Sequence, residues 1–86
     1  MNINQLIAIV KNKLESEIII QDLQIEDKSF LHKNHKGHQE GKFHLKLIIY
    51  SDELSRMSKL ASTKRIYKVL DIELKEYIHS IQILFN

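Results

Sequence analysis

Residues 43–85 read FHLKLIIYSDELSRMSKLASTKRIYKVLDIELKEYIHSIQILF, and the changes of period along them decide the fold. In 43–50 the apolar residues Phe43, Leu45, Leu47 and Ile49 fall on alternate positions, the pattern of a strand with one buried face. Ser51-Asp52 ends that strand. A three-and-four spacing then takes over: Ser58 caps a predicted helix whose Leu60, Tyr67 and Leu70 form a stripe, widened by Ile66 and Val69. Asp71 marks a break before a second, short helix carrying Ile72, Leu74 and Tyr77. From 78 to 85 the alternation returns, with His79, Ile81, Ile83 and Phe85 assigned to one face.

Upstream, residues 3–15 predict a helix, because Ile3, Leu6, Ile7, Val10 and Leu14 recur as one stripe behind the candidate cap Asn2. The run 17–27 changes period again. Ile19, Leu23 and Ile25 alternate with Asp22, Gln24 and Glu26, which predicts a strand; Ile18 and Ile20 give its start a second apolar face. The expected order is therefore α-β-β-α-α-β, an α+β fold with a three-stranded mixed sheet and helices packed on one face. The first two strands pair antiparallel, and a right-handed crossover returns the third parallel to the second. Parallel strands start at the same edge of a sheet. His79 should then face the His-bearing segment 28–42, which enters the second strand at that edge. That segment holds Gly37 and Gly41 and almost nothing apolar beyond Phe30 and Leu31, so it reads as a long loop of the kind that usually carries function.

Composition narrows the classes. With 86 residues the chain predicts one domain, 1–86, and 43% hydrophobic content is too high for disorder. The absence of Cys excludes a disulfide scaffold, a thiol nucleophile and an all-thiolate metal site. No apolar run approaches the ~18 residues of a membrane span. The N-terminal MNINQLIAIVKNKLE lacks the features of a targeting peptide, so a cytoplasmic domain without a membrane partner is expected. Net charge is only +2, but 59–68 carries Lys59, Lys64, Arg65 and Lys68 with no acidic residue. Such a helix could lay charges along a phosphate backbone, or be an ordinary solvated face.

The histidines are the other concentration of chemistry. His32-x-x-His35-x-x-His38 is spaced for a loop to wrap an ion, and neutral imidazole suits zinc, copper and iron. The plain alternatives are solvated loop histidines, a strand-edge His44 and a satisfied core His79. Catalysis is not expected. The serines sit in no nucleophile motif, two glycines make no phosphate-binding loop, and Glu73 with Glu76 reads as a charged helix face. No small-molecule substrate is therefore implied. A small sheet of this order also suits KH-like nucleic-acid modules, although their GxxG clamp is absent.

Two segments, EDKSFLHKNHKGHQEGKFHLKLIIYSDEL and IYKVLDIELKEYIHSIQIL, resemble the BolA family across nearly the whole chain. The resembling features are the D-x-S-x-x-H run from Asp27 to His32, His44 opening a strand, Ser51 closing it, Tyr67, Glu73-Leu74, and Ile78-His79. The resemblance implies a domain related to the class II KH fold and two activities. One is regulation of transcription by DNA binding, linked to cell shape and stress responses. The other is a heterodimer with a monothiol glutaredoxin that shares a [2Fe-2S] cluster together with glutathione. In that heterodimer the family implies His79 as one metal ligand and a loop residue as the other: His32 by motif, with His35 and His38 as alternatives. A chain without Cys could not assemble such a cluster alone, which fits a partner that brings the sulfur. The sequence departs from the family where relatives carry Arg-His-Arg and it has Ser62, Thr63 and Lys64, taking charge from a surface implicated in nucleic-acid contact.

Overall fold

The computed structural model describes residues 1–29 and 42–86. The elements follow in the order α1 (Ile3–Glu17), β1 (Asp22–Asp27), β2 (Phe43–Tyr50), α2 (Asp52–Ser55), α3 (Lys59–Val69), α4 (Asp71–Glu76) and β3 (Ile78–Phe85). The sheet order is β1-β2-β3, with β1 antiparallel and β3 parallel to β2. This is the mixed sheet that the periodicity predicts. None of the described helices is long and apolar enough to cross a membrane.

Local chemistry explains the helix starts. Asn2 and Gln5 form a reciprocal capping box: the Asn2 side chain accepts from the Gln5 amide at 2.8 Å, and Gln5 Oε1 accepts from the Asn2 amide at 3.0 Å. Ser58 Oγ accepts from the Ala61 amide and starts α3. Ser51 does the same for α2, a short helix the periodicity does not announce. Leu6, Val10 and Leu14 of α1 pack with Leu45, Leu47 and Ile49 of β2, Ile66 of α3 and Leu70 after it. On the other side of the sheet Gln24, Tyr50, Gln82 and Leu84 are exposed. Among the described residues, helices therefore cover one face only.

Three expectations are corrected. The helix α1 continues to Glu17, and Ile18, its C-cap, drops into the core, so β1 begins only at Asp22 and Ile19 is left 69% exposed. The buried stripe of α3 is Ser62 and Ile66, continued by Leu70, while Leu60 and Tyr67 are exposed. Ser62 belongs there because its hydroxyl donates to the Leu54 carbonyl at 3.1 Å, closing a polar group at the end of α2. Position 62 is thus interior in this chain, and its serine takes no charge from a surface. The third correction concerns His79. The register pairs Phe43 with Ile78 but His44 with Ser80, so β3 holds one extra residue at a bulge. The alternation of Ile81, Ile83 and Phe85 does not extend back to His79.

Candidate functional site

The bulge assembles the site. His44 and Ser80 face each other across β2 and β3, with His44 Nδ1 2.6 Å from Ser80 Oγ. The extra residue, His79, is exposed and lies with its ring centroid 5.0 Å from that of His44, the planes inclined at 61°. His44 is nearly buried, at 7% exposure. Its backbone is held from the other side by the end of β1: Lys28 N–H donates to the His44 carbonyl at 2.7 Å, and the His44 N–H donates to Ser29 Oγ at 3.0 Å. Ser29 is fixed in turn, since its amide donates to Asp27 Oδ1 at 2.9 Å. The strand order brings the start of β3 beside the start of β2, and there His79 packs on His44; the loop histidines that it is expected to face lie outside the described residues.

Two shallow grooves flank this point and share the Ser80–Ile81 wall. One, lined by Tyr67, Asp71, Leu74, Lys75 and Ile78, has His79 on its surface. The other runs past Lys28, His44, Lys46 and Gln82. A partner seated on either groove would therefore meet an imidazole. His32, His35 and His38 lie outside the described residues. Among the described residues no group of three or more His, Cys, Asp or Glu is arranged to hold a metal ion.

The four cations of the 59–68 helix do not act alike. Lys59, Lys64 and Lys68 are exposed. Arg65 is half-buried and committed: one guanidinium nitrogen donates to Glu53 Oε2 and the other to the Glu17 carbonyl at 2.8 Å. At about 100° per residue, Lys59 and Lys68 point to opposite sides of the helix. Lys59 borders a small apolar cavity with Leu54, Met57 and Phe85, whereas Lys68 borders a groove with Lys13 and Glu17. Only Lys64 and Lys68, one turn apart, form a short exposed basic row.

Strand order places His79 at the edge where β2 begins, but it does not announce the Ser80–His44 contact. His44 was visible as the residue opening a strand. No periodicity signal marks Ser80, because strict alternation puts it opposite Leu45.

Compared with known proteins, residues 14–85 match the family model described as BolA-like protein. The DNA-binding transcriptional regulator BolA of Haemophilus influenzae is 32% identical over 73 residues, spanning 85% of this chain and 68% of that relative. SufE-like protein 1 of Arabidopsis thaliana, chloroplastic and mitochondrial, is 31% identical over 80 residues, 87% of this chain but 22% of the longer relative. Among solved structures, the BolA domain of SufE1 from Arabidopsis thaliana aligns with a TM-score of 0.77 at 29% identity, covering 100% of this chain and 93% of its own.

Proposed function

Because the chain belongs to the BolA family, we propose that it is a non-enzymatic partner of a monothiol glutaredoxin and shares a [2Fe-2S] cluster with it. His79 would be one ligand, with His32 the second and His35 or His38 its alternatives. The observation that carries this reading is the position of His79: an exposed imidazole at the start of β3, beside the strand into which segment 28–42 leads. The donor set fits the group. Histidine nitrogens serve one iron of a Rieske-type cluster, and a chain with no Cys leaves the thiolates to its partner. When bound, the cluster would supply electron or iron–sulfur transfer. The chain's own contribution is to present the His79 imidazole at a groove lined in part by Leu74, Ile78 and Ile81.

The test is to mix the protein with a monothiol glutaredoxin, iron, sulfide and glutathione. A visible spectrum distinct from that of the glutaredoxin homodimer is expected, and His79→Ala should abolish the difference. A spectrum unchanged by that substitution would remove His79 from the cluster.

A second reading, DNA-binding regulation, is favoured by the name of the Haemophilus influenzae relative and by the exposed Lys64–Lys68 row. Two phosphate contacts give weak binding that falls with salt, at a log–log slope of about −2. Retardation of promoter DNA that does not respond to salt, or to Lys64→Ala with Lys68→Ala, would set this reading aside.

A further inference from the structure

A ligating histidine is normally oriented by a second group, whose loss typically costs roughly 10- to 100-fold in metal affinity. This inference rests on the reading of His79 as a ligand and concerns what holds its ring. Among the described residues the ring packed on His79 is that of His44, at 5.0 Å and 61°. His44 is itself fixed by Lys28 and Ser29 through its backbone and by Ser80 through Nδ1. The bulge creates this arrangement. Carried on from the Phe43–Ile78 pair without a shift, the register would set His79 opposite His44 and Ser80 opposite Leu45. The one-residue shift moves Ser80 onto His44 and leaves His79 beside the pair, at the groove.

We propose that Ser80 and His44 are a positioning pair for His79. Ser80 Oγ locks the His44 ring, and the locked ring restricts the rotamers of the His79 imidazole. An inclined ring contact of this kind biases rotamer populations by roughly two- to ten-fold. Neither positioning residue is required to touch the cluster. The arrangement prepares one ligand before the partner arrives, which lowers the ordering cost of assembly.

Ser80 is exposed, so Ser80→Ala and Ser80→Thr should both fold, and they differ in the hydroxyl. The first readout is NMR of the protein alone, from the side-chain couplings and ring resonances of His79. Ser80→Ala is expected to average the His79 couplings, and Ser80→Thr to restore them. The second readout is decay of the mixed cluster formed with a monothiol glutaredoxin, glutathione, iron and sulfide. Decay should be about three-fold faster or more in Ser80→Ala and normal in Ser80→Thr. Unchanged couplings in Ser80→Ala, or a change that threonine fails to reverse, overturns the positioning role. If the wild type forms no mixed cluster, the functional reading falls, while the NMR result still decides the positioning. If it forms one that decays equally fast with Ser80→Ala, the positioning role alone is lost.

Discussion

His44 and Ser80 are paired across parallel strands with Nδ1 2.6 Å from Oγ, although Phe43 and Ile78, one pair earlier, are separated from them by unequal steps. The extra residue in β3 is His79, and it is exposed. It therefore contributes little to the fold. Replacing it with alanine should change unfolding free energy by no more than about 0.5 kcal/mol, the usual range for a surface site. His44 is nearly buried and hydrogen-bonded, so His44→Ala should cost about 1–3 kcal/mol. Urea denaturation of the two variants checks both. A large loss from His79→Ala would make the ring a structural element.

Arg65 separates structure from binding within one helix. Its guanidinium joins Glu53 of α2 to the last carbonyl of α1, and Glu53 Oε1 accepts from the Ile19 amide at 3.4 Å. Arg65→Ala should lower stability by about 1 kcal/mol, because the Glu17 carbonyl and the partly buried Glu53 carboxylate lose their donor. It should leave the salt dependence of polyanion binding unchanged. The double substitution Lys64→Ala, Lys68→Ala should do the reverse, flattening the log–log salt slope by about 2 with the melting temperature preserved. Melting curves and a salt series on the same DNA would distinguish them. A flatter slope for Arg65→Ala would put that guanidinium on the phosphates.

The elements that were legible in advance are those whose burial is paid in hydrocarbon. Leu45, Leu47 and Ile49 mark β2 by alternation, and Leu6, Val10 and Leu14 mark α1 by helical spacing. What escaped is held by hydroxyls. Ser62 stands in the core of α3 because its Oγ reaches the Leu54 carbonyl, and a count of apolar positions passes over it in favour of Leu60 and Tyr67. The site shows the same division. Strand order alone carries His79 to the start of β2, since parallel neighbours share an edge. The bulge that sets Ser80 on His44 depends on a one-residue register shift, and period-two patterning contains no signal for it.

Ser51 closes β2 and opens α2 with one hydroxyl, which is 3% exposed as a residue, accepts from the Leu54 amide at 3.1 Å and donates to the Ile19 carbonyl at 2.7 Å. Both bonds are lost in Ser51→Ala, which should cost about 1–3 kcal/mol. Ser51→Asp keeps the acceptor for the helix cap and loses the donor to Ile19, so it should rescue little at a buried position. Denaturation midpoints for the pair provide the measurement. A neutral Ser51→Ala would mean that water replaces the hydroxyl on both sides.

Glu73 is the one buried carboxylate among the described residues. Its side chain is 6% exposed, Oε2 lies 2.7 Å from Lys13 Nζ, and Oε1 is buried with no hydrogen-bond partner among the described residues. The pair is asymmetric, because the Lys13 side chain is 35% exposed and can turn to water when its partner is removed. The carboxylate has no such exit. Lys13→Met should therefore cost about 2–4 kcal/mol by leaving a buried charge alone, whereas Glu73→Leu should be close to neutral. Adding Glu73→Leu to Lys13→Met should recover most of the loss, since no charge is then stranded. Lys11→Met, at an exposed position of the same helix, is the control and should stay within about 0.5 kcal/mol. Chemical denaturation of the four variants measures the cycle. Equal effects at Lys11 and Lys13 would show that Glu73 finds other compensation, and that the ion pair contributes nothing to holding α4 against α1.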